Sequence, residues 1–212
     1  EHPGSVLKGR RRRAGGAGEA ASGPRLVPEA PAETTLRPML ATLAAEPFRD
    51  PGWLFEIKWD GVRAFAQVTQ GRVKLVSRSS RDLSRQYPEL ARFPRSLNAV
   101  LDGEIVALDA DGRSSFHRLQ RRMNLTGAAE IERMSGQIPV VFYAFDLLSL
   151  RGRDLTRLPL SERKRRLAVL PWAGPWRYSD HVEGDGIGLF ELARQRGLEG
   201  IVAKRVDAPY EA

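Results

Sequence analysis

Residues 53–68 read WLFEIKWDGVRAFAQV, and this stretch decides how the fold begins. Residues 53–57 and 62–68 carry the apolar and β-branched side chains typical of strands, and the Asp60-Gly61 pair between them predicts a tight turn. A second turn at Gly71-Arg72 leads into residues 73–78, where apolar and polar positions alternate. We therefore expect three successive strands connected by short turns.

In the rest of the chain, the same patterns predict further strands and several helices. Strands are expected over 99–108, 140–150 and 200–204, and the second of these is so apolar that it is expected to be central. Helices are expected over 87–93, 115–123, 161–170 and 186–196, the last ending at Gly197. Hairpins mixed with helices, without a regular alternation of the two, predict an α+β fold with largely antiparallel sheets.

The composition excludes several classes of protein. The chain of 212 residues contains no cysteine, so disulfides, thiol nucleophiles and sulfur-bound zinc are excluded. Its three histidines, His2, His117 and His181, lie too far apart to suggest a metal site, and no apolar run approaches the ~20 residues that span a bilayer. The net charge of +8 indicates a polyanionic partner, most simply nucleic acid, and the charge alone fits an anionic membrane surface as well.

Residues 1–35 differ from the rest of the chain. They are rich in Gly, Ala and Pro, show no apolar period and predict a disordered basic linker. The run Arg10 to Arg13 fits a phosphate-binding arm and a solvated linker equally well. Because the chain starts at Glu1 and shows no signal peptide, we interpret it as a piece of a longer intracellular protein.

Four short motifs place charged or aromatic side chains at the ends or edges of predicted strands. Each has an ordinary explanation when taken alone: a lysine before a turn, a turn pair, a core phenylalanine, a surface ion pair. The occurrence of all four motifs in one chain, in this order, is harder to explain by such ordinary roles. The motifs are Lys58-x-Asp60-Gly61-x-Arg63, Asp102-Gly103-Glu104, Phe145-Asp146 and Glu199-Gly200-x-x-x-Lys204.

In that order, the motifs resemble those shared by ATP-dependent DNA ligases, RNA ligases and mRNA capping enzymes. Longer strings resemble the ligase domain of bacterial ligase D, the end-joining DNA ligase; they are PMLA at 38–41, FEIKWDGVR at 55–63, SRSSRD at 77–82, YPEL at 87–90 and EGIVAK at 199–204. The resemblance implies a nucleotidyltransferase (ATP-grasp-like) fold over residues 36–212. In this family a further lysine motif and an OB-fold domain normally follow, and the chain stops before both.

The resemblance implies that Lys58 attacks the α-phosphate of ATP, so that AMP becomes bound to the lysine and pyrophosphate leaves. AMP then passes to a DNA 5′-phosphate at a nick, and the 3′-hydroxyl displaces it. Such an amine must be neutral, whereas a free lysine has a pKa of about 10.4 and only about one molecule in a thousand is neutral at pH 7. Nearby cations and partial desolvation favour the neutral form.

The remaining site residues follow from what a lysine-bound nucleotide needs. Phe145 offers a flat face for adenine, and Glu56 an acceptor for its amino group. Arg63 and Arg78 are expected to contact ribose and phosphate, since a guanidinium fork suits phosphate oxygens.

The acidic and lysine motifs complete the expected site. Glu104 and Glu199 are expected to contact the ribose or to bind Mg²⁺ or Mn²⁺. Lys204 is expected to neutralise the α-phosphate as charge builds up, and Asp60 to shape the turn or position Lys58. His117 and His181 have no expected task.

Two basic clusters suggest further contacts. Arg118, Arg121 and Arg122 fall on one predicted helix and fit either a phosphate-contacting face or a solvated one. Residues 163–166 read RKRR, and there a solvated helix is the better interpretation because consecutive residues spread around a helix.

The leading hypothesis is the adenylation domain of a DNA ligase acting on nicked duplex DNA in double-strand break repair in the bacterial cytoplasm, close to the nucleoid. The family also implies the end-binding protein Ku as a partner, and polymerase and phosphoesterase domains in the same polypeptide. An RNA ligase or GTP-using capping enzyme would share the nucleophile, and a catalytically incomplete nucleic-acid-binding fragment would explain the basic charge.

Overall fold

The computed structural model describes residues 37–211, in which two β-sheets are flanked by four α-helices. The larger sheet has the strand order β3-β2-β4-β5-β6, with β7 also paired to β5. Its strands are β2 (Val62–Thr69), β3 (Arg72–Ser77), β4 (Ala99–Ala107), β5 (Val140–Leu150), β6 (Arg153–Asp154) and β7 (Trp176–Tyr178). The smaller sheet has the order β8-β1-β9, formed by β1 (Arg49–Ile57), β8 (His181–Asp185) and β9 (Ile201–Arg205). The predicted linker over 1–35, with its arginine run, lies outside the described residues.

A short turn between β2 and β3 is confirmed, but it lies one residue earlier than predicted, at Gln70-Gly71 instead of Gly71-Arg72. Gln70 and Gly71 both adopt the left-handed backbone conformation, with φ of 49° and 79°. Two left-handed residues in succession give the backbone twist that matches the twist of the flanking strands. The β2–β3 pairing therefore runs in regular antiparallel register from Thr69–Arg72 to Ala64–Ser77.

The predicted hairpin at Asp60-Gly61 is wrong. β1 pairs with β8 and β9, while β2 pairs with β3 and β4, so the chain passes from one sheet to the other between Lys58 and Gly61. The physical reason lies in β1, where the three consecutive residues Leu54 to Glu56 are all buried, as suits a strand covered on both faces. A side chain on Gly61 would overlap the Ile105 carbonyl of β4, so glycine permits this close crossing.

The smaller sheet brings the ends of β1 and β9 together. The two strands are antiparallel, with Leu54 opposite Lys204 and Ile57 opposite Ile201. Just beyond the ladder, the Lys58 amide donates a hydrogen bond of 2.9 Å to the Gly200 carbonyl. As a result, the motifs that begin at Lys58 and at Glu199 are neighbours across one sheet.

The core of the larger sheet is centred on β4 and β5, and the prediction that the second of these is central is confirmed. β5 pairs with β4 on one side and with both β6 and β7 on the other, where the β5–β7 pairing is parallel. Gly103 in β4 lies against Phe142 and Tyr143 of β5 so closely that a Cβ atom would clash with both. This packing keeps two site strands in fixed register.

The helices match the predictions in part. Two of them, α3 (Leu160–Ala168) and α4 (Gly186–Gln195), lie where expected, and Gly197 follows α4 with φ of 64°. The other two are α1 (Phe116–Gln120), shorter than predicted, and α2 (Ala128–Gln137), which was not predicted. The helix expected over 87–93 is only a 3-10 turn, Pro88–Leu90, and strands β6 to β8 were also missed.

The predicted α+β class with largely antiparallel sheets is confirmed. None of the helices within residues 37–211 combines the length and apolar character needed to cross a membrane.

Candidate active site

Lys58 lies at the end of β1, where the chain leaves the smaller sheet. Its ammonium forms an ion pair with the carboxylate of Glu199, which directly precedes Gly200 and β9. The two side chains are 48% and 40% exposed, so the lysine nitrogen is held by a carboxylate and is still open to a ligand. The two motifs that the sequence placed 141 residues apart therefore meet at one point.

Glu56, in β1 two residues before Lys58, occupies a different environment. Its side chain is 2% exposed and lies between two ammonium groups: Lys164 Nζ is 2.8 Å from Oε1, and Lys204 Nζ is 3.0 Å from Oε2. Lys204 comes from β9, on the same face of the sheet, whereas Lys164 comes from α3. The buried carboxylate is thus compensated from two elements, as burial of a charge demands.

Phe145 of β5 faces this cluster from the larger sheet. The Lys204 ammonium lies 4.4 Å from the centroid of its ring, and the guanidinium carbon of Arg63 lies 5.3 Å from it. Both distances are within the range of cation–π attraction. The aromatic ring predicted to bind adenine and the lysine predicted to bind phosphate are therefore in contact with each other.

Arg63 is held on the far side of Phe145 by a buried carboxylate. Its guanidinium donates two hydrogen bonds to Asp102, of 3.0 Å and 2.7 Å, and the Tyr210 hydroxyl donates a third to the same side chain at 2.7 Å. Burial raises the pKa of Asp102, and the hydrogen bonds from Arg63 oppose that shift. The predicted contact of Arg63 with ribose or phosphate stays a prediction; the fork itself is directed at Asp102.

Glu104 follows Asp102 along β4 and pairs in register with Arg63 of β2. Burial raises the pKa of Glu104 to about 8, and the positive charges of Arg63 and Lys58 only partly offset this effect. Near neutral pH a substantial fraction of this carboxyl group is therefore protonated. Its charged state depends on cations or ligands that approach the cleft.

The site offers carboxylate oxygens to a divalent cation, but the described residues do not form a complete coordination sphere. Within residues 37–211, no group of three or more His, Cys, Asp or Glu side chains is arranged to hold a metal. Glu104 and Glu199, the predicted ligands, offer the carboxylate oxygens that Mg²⁺ and Mn²⁺ prefer. Since Mg²⁺ is usually bound by one or two carboxylates together with substrate phosphates, these two residues fit such an ion only alongside a nucleotide.

Asp60 and Trp59 fix the loop that carries Lys58. The Asp60 carboxylate accepts a hydrogen bond of 3.2 Å from the Phe116 amide at the start of α1, so it positions the turn against that helix. The Trp59 ring stacks on Tyr143 with a centroid distance of 3.7 Å, and its Nε1 donates to the Ser179 hydroxyl at 3.0 Å. Sequence reasoning missed the role of Trp59, although an indole directly after the expected nucleophile was a visible signal.

Two predictions about basic clusters are wrong. Arg122 does not share an exposed face with Arg118 and Arg121: it is fully buried after the end of α1, with both nitrogens of its fork on Glu89. The RKRR segment is not a solvated helix either, because Arg163 and Lys164 are buried. The buried positions of α3 are spaced i, i+3, i+4 and i+7, an amphipathic period that the sequence contained. They are Leu160, Arg163, Lys164 and Leu167.

The predicted contact of Arg78 with ribose or phosphate stays a prediction, and the two histidines still have no task. Arg78 is exposed in the turn that follows β3, on the larger sheet. His117 is exposed, and His181 contacts the Tyr178 hydroxyl through Nδ1 at 3.0 Å, so neither histidine contacts Lys58. Tyr178 and Tyr210, which sequence reasoning did not single out, each contact a charged group of the site region.

Comparison with known proteins identifies the class. A family model described as the ATP dependent DNA ligase domain matches residues 38–212, and the chain belongs to this family. Among curated relatives, it is 38% identical over 180 residues to the multifunctional non-homologous end joining protein LigD of Mycobacterium bovis. That alignment covers 83% of this chain and 22% of the relative. The LigD of Pseudomonas aeruginosa is 32% identical over 183 residues, covering 84% of this chain and 21% of the relative.

Solved structures agree with this assignment. The ligase domain of Mycobacterium tuberculosis LigD superimposes with a TM-score of 0.69 at 37% identity, covering 83% of this chain and 56% of that chain. A mycobacterial DNA ligase D complexed with ATP and MES gives the same TM-score at 36% identity and the same coverage. The predicted family and nucleotidyltransferase fold are confirmed. The chain spans about a fifth of the length of the curated LigD relatives that it matches.

Proposed function

We propose that this chain is the adenylation domain of an ATP-dependent DNA ligase and that Lys58 is the residue that carries AMP. The observation that carries the proposal is the meeting of Lys58 with Glu199 at an accessible point between the two sheets. The pair of Glu56 and Lys204, with the Phe145 ring next to Lys204, supplies a base-binding and phosphate-binding wall beside that point. Membership of the ligase family and the likeness to an ATP-complexed ligase D support ATP as the substrate.

The first step forms a bond between the Lys58 nitrogen and the α-phosphorus of ATP. The ammonium must first lose a proton, and the Glu199 carboxylate is the acceptor in contact with it. The nitrogen lone pair then bonds to phosphorus while the bond to the bridging oxygen breaks, so that pyrophosphate leaves with that electron pair. The nitrogen releases its second proton to solvent, which leaves a neutral phosphoramidate link.

Transfer to DNA reverses the chemistry at the lysine. An oxygen of the DNA 5′-phosphate attacks the α-phosphorus, the nitrogen–phosphorus bond breaks, and the Lys58 amine takes up a proton as it leaves. The 3′-hydroxyl then attacks the 5′-phosphorus, AMP leaves, and the hydroxyl proton is lost. We assign nicked duplex DNA as the acceptor because the family acts on DNA and the chain has a net charge of +8.

The wall of the cleft must rearrange when a nucleotide binds. In this structure the Lys204 ammonium covers the Phe145 ring, and adenine can stack there only after the lysine moves away. The α-phosphate is the group to which Lys204 would move, where it would neutralise the charge that builds up during attack. Glu56 would then be open to the adenine amino group on the side that Lys204 had covered.

A divalent cation is part of the proposal in a limited role. Glu104 and Glu199 would hold Mg²⁺ or Mn²⁺ together with phosphate oxygens, and the ion would neutralise charge on the triphosphate. For the full-length protein we propose end joining in the bacterial cytoplasm close to the nucleoid, alongside Ku. We also propose a following OB-fold, and polymerase and phosphoesterase domains in the same polypeptide. These proposals rest on the likeness to LigD, of which the chain covers about a fifth.

Labelling of the full-length protein tests the proposal. Incubation with Mg²⁺ and α-labelled ATP should give label that stays on the denatured protein, whereas γ-labelled ATP should give none. The Lys58→Ala variant should take up no label, and Lys74→Ala, an exposed lysine on β3, serves as the matched control that labels normally.

The same assay separates the alternatives. Label from GTP rather than ATP would identify a capping-type enzyme, and no label from either nucleotide would favour a nucleic-acid-binding fragment. Nicked duplexes that differ only in an RNA or DNA 3′-end distinguish an RNA ligase from a DNA ligase, because only the matching acceptor should discharge the label.

A further inference from the structure

Lys164 has no part in the chemistry described above, yet it contacts Glu56 at the centre of the site. Its side chain is 2% exposed. Besides Glu56 Oε1, Nζ donates to the Ser179 carbonyl at 2.7 Å and lies 4.2 Å from the centroid of the Tyr178 ring. The Lys164 ammonium is therefore surrounded by one carbonyl, one carboxylate oxygen and one aromatic ring.

Lys204, the second partner of Glu56, is placed very differently. Its side chain is 22% exposed, and apart from Glu56 its neighbour is the face of Phe145. It comes from the edge strand β9, whereas Lys164 comes from a helix packed on β5. Lys164 is therefore held in place beside Glu56, whereas Lys204 is free to move toward the cleft.

The difference matters because Glu56 is buried. Removing one partner from a buried ion pair leaves an uncompensated charge and is strongly unfavourable. If Lys204 were the sole partner of Glu56, its movement to a phosphate would leave such a charge behind. With Lys164 in place, the carboxylate keeps one cation at 2.8 Å when the other departs.

We propose that Lys164 is a positioning residue that holds the Glu56 carboxylate and thereby frees Lys204 to move to the nucleotide phosphate. The inference rests on the proposed function, since it assigns a task within lysine adenylation. Helix α3 supplies this residue from a charged segment that we predicted to be solvated, and the folded chain buries it.

The test measures the rate of lysine adenylation in the full-length protein at saturating and limiting ATP. Lys164→Met should lower the rate at saturating ATP about tenfold or more, because Glu56 then retains Lys204. Its KM for ATP should change less than the rate does. Lys164→Arg keeps a cation beside Glu56 and should recover most of the rate, and Arg165→Met, an exposed neighbour on the same helix, should behave as the wild type.

A double-variant cycle separates positioning from a general structural effect. In a Glu56→Gln background there is no carboxylate for Lys164 to hold, so adding Lys164→Met should lower the rate less than about twofold. Equal costs of Lys164→Met in both backgrounds, or a wild-type rate for Lys164→Met alone, would overturn the inference. If Lys164→Met does not fold, the comparison of Glu56→Gln with Glu56→Gln/Lys164→Met decides in the same way.

Failure of the proposed function gives a different result. In that case the wild type itself takes up no label from ATP, whatever stands at position 164. A wild type that labels at Lys58, with Lys164→Met labelling at the same rate, would retain the proposed function and reject the role of Lys164.

Discussion

Two sets of ion pairs in this molecule differ in chemistry and in place. Three arginines form two-pronged pairs with carboxylates around the larger sheet, whereas lysines pair with glutamates along the smaller one. The arginine pairs are Arg63–Asp102, Arg122–Glu89 and Arg163–Asp146. The lysine pairs are Lys58–Glu199, Lys164–Glu56 and Lys204–Glu56.

The two groups suit two tasks. A guanidinium is always charged and fixes a carboxylate through a planar fork, so it holds strands and helices in place. An ammonium is a point charge that can lose its proton and change partners. The arginine pairs therefore suit a structural role, whereas the lysine pairs, open to the cleft at Lys58 and Lys204, are suited to chemistry.

Replacing the ammonium of Lys58 by a guanidinium should have the largest effect on the label taken up from ATP. Lys58→Arg keeps a positive charge beside Glu199, but a guanidinium does not deprotonate and is no nucleophile. Label from α-labelled ATP should fall below detection, while the thermal unfolding temperature should stay the same because the exposed pair contributes only about 0–1 kcal/mol. Lys74→Arg is the matched control. Label retained by Lys58→Arg would contradict the assignment of Lys58 as the nucleophile.

Removing an arginine from the larger sheet should produce the opposite pattern. Arg163→Met leaves the buried Asp146 without its fork and should lower the free energy of unfolding by about 3–5 kcal/mol, as measured by denaturant titration. Folded Arg163→Met protein should still label at Lys58.

Two further variants check the cause of that destabilisation. Arg165→Met removes an exposed arginine of the same helix and should cost little. Arg163→Met/Asp146→Asn removes both charges and should regain much of the lost stability. Equal destabilisation by Arg163→Met and Arg165→Met would contradict the assignment of a buried structural pair.

Glu104 should give an effect that appears only as the pH rises. Its pKa of about 8 in the folded protein is raised from 4.5, so the folded state binds the proton more tightly than the unfolded state does. The corresponding stability is fully present below pH 4.5 and is lost as the pH rises through about 8. The unfolding temperature of Glu104→Gln should match that of the wild type near pH 4.5 and exceed it above about pH 8. A difference in unfolding temperature that does not change with pH would count against the raised pKa of Glu104.

Much of the fold could be predicted because the patterns were local. The β2–β3 hairpin, the apolar β5 and the end of α4 at Gly197 each depend on a few neighbouring residues. The β1–β2 hairpin could not be excluded from sequence, because the partners of β1 come from β8 and β9, more than 120 residues later. Short strands such as β6 and β7 carry too few residues to show any period.

The candidate site divides in a similar way. The motif residues Lys58, Glu56, Glu199 and Lys204 were predicted from sequence, and the structure brings them together. Lys164 was assigned to solvent because the charge of its segment outweighed the i, i+3, i+4, i+7 spacing of α3. The pairing of Arg63 with Asp102 and Tyr210 depends on three distant segments, which only the folded chain brings together.

Peptide mapping by mass spectrometry after incubation with ATP and Mg²⁺ tests the central claim most directly. A single peptide should gain the mass of one AMP unit, fragmentation should place that mass on Lys58, and nicked DNA should remove it. AMP attached to another residue, or an adenylated protein in which Lys58 is unmodified, would contradict the central claim.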